Sequence, residues 1–247
     1  MDPPSGLSAP PPLDAFIARG PIALFLDFDG TLVELAHGPD AIAPLPDLAQ
    51  RLVRLAERME GRCAIISGRG IADIERHVGS LSVAVAGSHG LDRRRADGSA
   101  LCAGLQALPE AIAHSMRVFA DENGLAYEHK PHGGALHTRA KPDLFDAAKA
   151  HAEDLATEHG WVVQGGKHVV EVVARGANKG AALDAFMAEK PFAGAQPVFL
   201  GDDLTDEAGF AAAIAQGGEG ILIGHRQPST ARLSLPDVAA VHTWLQL

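Results

Sequence analysis

Asp27 and Asp29 stand two positions apart at the end of an apolar run, in ALFLDFDGTLVEL over residues 23–35. An aspartate at a strand's end can act as a nucleophile, splitting a difficult displacement into two easier steps through a covalent intermediate. A second carboxyl beside it can protonate the leaving oxygen and then activate water. Phosphate monoesters are among the substrates that most need such help, since enzymes accelerate their hydrolysis by up to ~10²¹-fold. On a regular strand the two side chains would share a face. Taken alone, the pair also fits an acidic loop holding a metal structurally, or an Asx-turn without chemistry. A buried strand running into D-x-D-G-T is the stronger signal.

Three more segments carry reactive residue types. Ser67, with Gly68 and Arg69 beside it, closes the apolar run CAIIS; a hydroxyl and nearby backbone N–H groups there can hold phosphate oxygens, although Ser-Gly also ends ordinary turns. Lys179 opens a helical pattern in ANKGAAL, where a cation and a helix N-terminus can together neutralise a phosphoryl group, or where a lysine can simply be solvated. FLGDDLTDE, residues 199–207, ends another apolar run in Asp202, Asp203, Asp206 and Glu207. Carboxylate oxygens suit Mg²⁺, which commonly uses one or two protein carboxylates plus water and phosphate. A solvated acidic loop is the alternative, and the apolar lead-in argues against it.

These residues need a scaffold that brings strand ends together. Residues 22–28, 62–70 and 81–90 read as short buried strands; between the first two, Leu45, Leu48, Leu52, Leu55 and Met59 mark an amphipathic helix over 45–60, and IADIERHV, before the third, begins another. Strand–helix alternation of this kind implies α/β architecture, a doubly wound, mostly parallel Rossmann-like sheet with its site at the carboxyl ends of the strands. From about 106 to 173 the pattern changes to helix 107–122, strands 125–130 and 133–139, helix 143–159, and strands 161–165 and 167–173. This αββαββ unit, with Phe145, Ala148, Ala152 and Leu155 along one face of its second helix, predicts an antiparallel sheet backed by two helices and inserted into the first domain. Alternation resumes with a helix that Asn178 can cap and strands at 197–203 and 220–224. The expected division is an extended, flexible Pro-rich tail over 1–18, a core from 19–105 and 174–247, and an inserted domain over 106–173.

Composition narrows the function classes. The 247 residues carry 31 acids and 21 bases, a formal net charge of −10, so nucleic acid is an unfavourable partner and an anionic substrate needs local cations or a metal. No apolar run approaches the ~18–20 residues of a membrane helix. The N-terminus has five prolines in its first twelve residues and neither the cationic flank nor the apolar stretch of a secretory signal. The two cysteines, Cys63 and Cys102, form no disulfide framework, and Cys63 reads as a small buried hydrophobe. The reducing cytoplasm fits this usage, and a monomer is the expected state.

Asp27-Phe28-Asp29-Gly30-Thr31, the Ser67 segment, Lys179 and GDD, in that order, resemble the haloacid dehalogenase superfamily of Mg²⁺-dependent phosphohydrolases. The resemblance implies Asp27 as nucleophile, Asp29 as general acid/base, Ser67 and Lys179 as phosphoryl ligands, and Mg²⁺ on the Asp27 carboxylate, the Asp29 carbonyl and Asp202, with Asp203 and Asp206 in support. It also implies that the insert is a cap that closes over the site, excludes water and selects the substrate.

In the insert, Glu128 and Lys130 share a strand face, as do Lys167 and Glu171, and His137 and Arg139. Carboxylates that accept and ammoniums that donate suit a molecule with many hydroxyls; the same alternation also describes a solvated sheet face. Together with GDDLTDE, GSHG over 87–90 and NKG, the patterns E-x-K and GK-x-x-x-E resemble bacterial trehalose-6-phosphate phosphatases over residues 20–225. That resemblance implies sugar contacts from Glu128, Lys130, Lys167 and Glu171, and a place for His89, Gly68 and Arg69 in the substrate site. The segment EVVARGANKG departs from the family's pattern, which often has a proline after a basic residue and an acid before Asn-Lys, so Arg175 receives no role. The expected activity is hydrolysis of trehalose 6-phosphate. A phosphatase for another glycosyl phosphate, such as sucrose phosphate or mannosylphosphoglycerate, and a non-catalytic sugar-phosphate sensor are the alternatives.

Overall fold

The computed structural model describes residues 7–35, 42–101, 107–130, 132–166, 168–176 and 178–247. The chain divides into two compact units, one built from the chain up to Leu101 and from Asn178 onward, the other from the segment between.

The first unit contains strands β1 (Ile22–Leu26), β2 (Cys63–Ile66), β3 (Ala84–Gly87) and β4 (Asp92–Arg94) and helices α1 (Leu13–Ile17), α2 (Leu48–Arg58) and α3 (Ile71–Val78). The second contains α4 (Glu110–Asn123), β5 (Ala126–Lys130), β6 (Gly133–His137), α5 (Phe145–His159), β7 (Val162–Gly166) and β8 (Val169–Val173). The chain then returns to the first unit with α6 (Lys179–Met187), β9 (Gln196–Gly201), α7 (Glu207–Ala215), β10 (Glu219–Ile223), β11 (Leu233–Leu235) and α8 (Val238–Leu245).

The seven-stranded sheet of the first unit has the order β11-β10-β9-β1-β2-β3-β4, parallel except for β4. Its central strand β1 is the uninterrupted IALFL, buried throughout, as a strand covered on both faces must be. Alternation sorts its side chains between two cores. Leu24 and Leu26 join Ile65, Val85, Leu200 and Ile221 against α2, α3 and α8. Ala23 and Phe25 join Ala64, Ala84, Phe199 and Leu222 against Leu183 and Phe186 of α6 and Phe210 of α7. The small alanines on this second face leave room for the Phe25, Phe186 and Phe192 rings, whose centroids lie 5.4–6.3 Å apart. Each such fully buried side chain contributes about 1.5–3 kcal/mol. Cys63 is also fully buried, and burial pushes its thiol up to about 12, so it packs as a hydrophobe.

The expected tail is a correction in its described part. From Leu7 onward it packs on the first unit: Ser8 bridges Leu233, Leu13 and Phe16 are buried, Phe16 meets Trp244 edge-on, and the Trp244 indole N–H donates to the Pro11 carbonyl at 2.7 Å. The prolines there set an extended path into the short helix α1. Strands β4 and β11 were also not anticipated; at three residues each, Asp-Arg-Arg and Leu-Ser-Leu, they carry no readable period.

The second unit has the αββαββ order read from the sequence. Its four strands run antiparallel as β5-β6-β8-β7. Ala148, Ala152 and Ala156 of α5 and Ile112, Ala113, Met116 and Ala120 of α4 are the buried stripes, with Leu136, Val170 and Val172 buried on the strands. Among the described residues no helix is long and apolar enough to cross a membrane.

Candidate active site

Strand register assembles the core residues. Leu26 pairs with Ile65 on one side and Leu200 on the other, while Ile66 pairs with Ala86. The segments after Leu26, Ile66, Gly87 and Gly201 therefore leave the sheet at its carboxyl edge side by side. Strand β1 stops at Leu26, not at 28, and the chain turns: the amides of Leu32 and Val33 both donate to the Phe28 carbonyl, at 2.9 and 3.0 Å. Asp27 and Asp29 thus do not follow strand alternation and have different partners.

Asp27 is buried and accepts from the Lys179 ammonium at 2.6 Å; the same ammonium donates at 2.6 Å to Asp206, which is fully buried. Lys179 stands at the first position of α6, whose N-cap Asn178 accepts from the Ala181 amide. Carboxylate oxygens of Asp27, Asp202 and Asp206 lie within 4.8 Å of one another. Burial and then the neighbouring Asp206 push the Asp27 carboxyl well above its usual range, against the pull of Lys179. Burial and Asp206 likewise push Asp202 up, to about 7. Lys179 moves up too: burial opposes its charge, and the carboxylates of Asp206 and Asp27 outweigh burial.

Three carboxylates against one ammonium leave a surplus of negative charge in a low-dielectric place, the environment a hard cation relieves. The donors are all oxygens, which fits a divalent ion of the Mg²⁺ kind. Asp203 is placed differently. Its carboxylate accepts from the Leu204 amide as the cap of a short turn, while the other oxygen of Asp206 accepts from the amides of Asp202 and Asp203 at 3.0 and 2.9 Å. Asp206, counted only as support in the sequence reading, therefore stands inside the group, and the Asp203 and Asp29 side chains stand outside it.

Gly30 makes the close approach possible. It has φ +77°, and a Cβ there would lie 2.1 Å from an Asp202 carboxylate oxygen. Gly30→Ala should cost about 1–2 kcal/mol for the left-handed backbone alone and more for the displaced Asp202, read as a Tm lowered by several degrees; an unchanged Tm would contradict this packing.

Ser67 is buried, and its hydroxyl accepts from the Arg69 amide at 3.1 Å. Gly68 lies under the His89 ring, 2.7 Å from where a Cβ would stand. The segment is held from the neighbouring strand, with the His89 amide donating to the Ser67 carbonyl at 2.9 Å and the Ser88 amide to the Arg69 carbonyl at 2.8 Å. His89 itself adopts a left-handed backbone, φ +56°. The Arg69 guanidinium takes both oxygens of Asp29, at 2.7 and 2.8 Å, and reaches Asp73 at 2.8 Å. Sequence reasoning missed Asp73, which no strand end announces.

In the second unit, Glu128, Ala135, Glu171 and Gln164 form one row across all four strands. The Lys130 ammonium donates to Glu171 at 2.7 Å, and both residues are buried, so a solvated face does not describe them. His137 meets Glu128 at 2.9 Å, and that hydrogen bond, outweighing burial, holds the Glu128 carboxyl below its usual range. Gln164 escaped sequence reasoning, since an uncharged amide carries no pairing signal. Lys167, predicted as a sugar contact, lies outside the described residues.

Comparison with known proteins bears on the family. The family model described as trehalose-phosphatase matches residues 25–239. The chain is 38% identical over 233 residues to the trehalose-6-phosphate phosphatase of Escherichia coli K12, covering 91% of this chain and 85% of that one. Its structure resembles the C-terminal domain of C. albicans trehalose-6-phosphate phosphatase, with a TM-score of 0.78 at 22% identity over 98% of this chain and all of that one. It also resembles a haloacid dehalogenase-like hydrolase from B. subtilis, with a TM-score of 0.64 at 13% identity over 92% of this chain and all of that one. An Asp27–Lys179–Asp206 cluster at the carboxyl edge of a parallel sheet, an inserted αββαββ unit and a family match across most of the sequence lead to one assignment: the chain belongs to the trehalose-phosphatase family, phosphatases built on the haloacid dehalogenase fold.

Proposed function

We propose that the chain hydrolyses trehalose 6-phosphate to trehalose and phosphate by way of an aspartyl phosphate on Asp27. The observation that supports this most is the 2.6 Å contact of Lys179 with both Asp27 and Asp206 at the edge of the parallel sheet, in a chain 38% identical to a trehalose-6-phosphate phosphatase. An Asp27 carboxylate oxygen attacks phosphorus. The bond from phosphorus to the sugar oxygen breaks, its electron pair stays on that oxygen, and Asp29 supplies the proton. In the second half Asp29 takes a proton from water, whose oxygen attacks the phosphorus; phosphate leaves and the Asp27 carboxylate is restored. Ser67 and Lys179 hold the phosphoryl oxygens throughout.

Mg²⁺ fits the oxygen donors of Asp27 and Asp202, with Asp206 bracing them, and when bound it supplies positive charge against the phosphoryl oxygens. Lys130 and Glu171, a buried donor and acceptor in contact, together with Glu128 and Lys167, are the residues proposed to read the sugar hydroxyls. An ion pair already formed spends less side-chain freedom on binding than free charges would. His89 braces the Ser67 loop through Gly68.

The test is phosphate release from trehalose 6-phosphate, sucrose 6-phosphate, glucose 6-phosphate and mannosyl-3-phosphoglycerate, each with Mg²⁺ and with EDTA. The expected result is strong preference for trehalose 6-phosphate, lost in EDTA. Preference for another member of the panel would keep the core chemistry and overturn the sugar assignment. Tight binding with no release from any of them would mark a sensor.

A further inference from the structure

We infer that Arg69 and Asp73 are positioning residues for the proton transfer by Asp29, not ligands of the substrate; the inference rests on the phosphatase reading above. Arg69 presents its guanidinium edge to Asp29, Nε to Oδ2 at 2.7 Å and Nη2 to Oδ1 at 2.8 Å. Such a two-bond fork fixes the plane of a carboxyl group as well as its place. The remaining arm, Nη1, donates to Asp73 at 2.8 Å. Asp73 sits in the first turn of α3 and is also contacted by Arg76. Burial raises its carboxyl, but the hydrogen bonds and charges of Arg69 and Arg76 outweigh that and hold it below its usual range.

The guanidinium also lies 6.0 Å from the centre of the Phe28 ring. Phe28 is fully buried between the two aspartates in sequence. The clamp therefore grips the turn at two adjacent residues, and its far end is tied to a helix of the sheet's flank. Arg69 is only 12% exposed at its side chain, and its Nε, Nη1 and Nη2 each donate to a carboxylate. The Nε–Nη2 edge, which could take a phosphate in two-bond fashion, is occupied by Asp29.

The arrangement is compatible with both proton states of the acid. As a carboxylate, Asp29 accepts both guanidinium bonds. Protonated, it keeps an accepting oxygen for Arg69 and has an O–H to direct at the leaving oxygen. Loss of the clamp leaves Asp29 present but free to rotate away, and a misplacement of about 1 Å can cost ~10²-fold in rate.

Leaving-group dependence isolates this role. The alcohol oxygen of a sugar phosphate needs a proton as its bond to phosphorus breaks, whereas p-nitrophenolate departs as a stabilised anion. The quantity to compare is kcat/KM, because it reports only the steps through departure of the leaving group and is blind to hydrolysis of the aspartyl phosphate, which both substrates share. Asp29→Asn, Arg69→Ala, Arg69→Lys, Asp73→Asn and Asp29→Asn/Arg69→Ala would each be assayed with p-nitrophenyl phosphate and with the best alkyl phosphate of the panel. Arg69→Ala is expected to lower kcat/KM for the alkyl phosphate by ~10²-fold or more, within the range a general acid contributes, and to change it little for p-nitrophenyl phosphate. Arg69→Lys, which keeps the charge and loses the fork, should show the same selectivity. Asp73→Asn should show it more weakly, and the double variant should be no worse than Asp29→Asn alone. Equal losses on both substrates, or a KM raised alike for both, would overturn the inference and return Arg69 to a structural or phosphate-binding role. A wild-type chain silent on every alkyl phosphate would overturn the phosphatase reading and this inference with it.

Discussion

Asp27→Asn protein should fold as the wild type does and release no phosphate, with kcat lower by ~10⁴-fold or more, as for loss of a covalent nucleophile elsewhere. The two halves of this expectation have separate physical grounds. An amide oxygen cannot form the acyl phosphate, so turnover stops. Stability, in contrast, should not suffer. Asp27 is buried beside Asp206 and Asp202, and burial together with those charges holds its carboxyl well above its usual range. A carboxyl whose folded pKa is raised destabilises the fold once pH exceeds its unfolded value, so at pH 8 the ionised group is a liability. The amide removes that charge and still offers an oxygen to the Lys179 ammonium, while Lys179 keeps its 2.6 Å contact with Asp206. Thermal unfolding at pH 8 should give a Tm no lower than that of the wild type. Phosphate release at even a hundredth of the wild-type rate would remove the covalent route, and a Tm well below wild type would contradict the charge balance described for the cluster.

How much of this was readable before any fold was known depends on what the residues follow. Asp27, Ser67 and Asp202 each close or follow a fully apolar run, so hydrophobic pattern alone placed them at strand ends, and strand order in a doubly wound sheet put those ends on one edge. Asn178 announced the start of α6 by its type, and so fixed where Lys179 would stand. Side-chain direction within a turn was not readable. GDDLTDE offers four acids, and only the turn geometry, with Asp203 facing the Leu204 amide and Asp206 facing inward to Lys179, decides which of them joins the cluster. The apolar Phe28 directly after Asp27 likewise extended the expected β1 to residue 28; the turn at Phe28 and Gly30 is what sends Asp29 toward Arg69. The Arg69 clamp and the Lys130–Glu171 pair join residues 40 and 41 positions apart, a separation at which a single sequence carries no pairing information. The described part of the Pro-rich segment differs from expectation for a related reason: Leu13 and Phe16 are buried in a core whose other members, Trp244 among them, lie far along the chain.

Lys179→Met should be the most destabilising single change in the cluster. The ammonium is buried and touches two buried carboxylates, Asp27 and Asp206, at 2.6 Å each. Methionine fills a similar volume but leaves both carboxylates without their cation. Breaking a buried pair from one side costs about 3–5 kcal/mol, which for a chain of this size corresponds to a Tm lower by ~6–20 °C. The pH dependence separates lost charge from lost packing. In the wild type the Lys179 pKa is raised above its ordinary value of 10.5, so its contribution is fully present below that value and constant between pH 5 and 8. In the variant, Asp27 and Asp202, already raised by burial and by Asp206, have no ammonium to lower them. Their folded pKa values rise further above the unfolded ones, the folded state binds more protons than the unfolded state, and stability increases as pH falls. The gap between wild type and Lys179→Met should therefore narrow from pH 8 to pH 5.5. Adding Asp27→Asn to the variant should recover part of the loss at pH 8, because one of the two stranded charges is then absent. Thermal unfolding of the three variants and the wild type at both pH values tests this. A gap that stays constant with pH would assign the loss to packing around α6, and a second substitution that adds its own cost would show that the carboxylates do not share Lys179 as the structure places it.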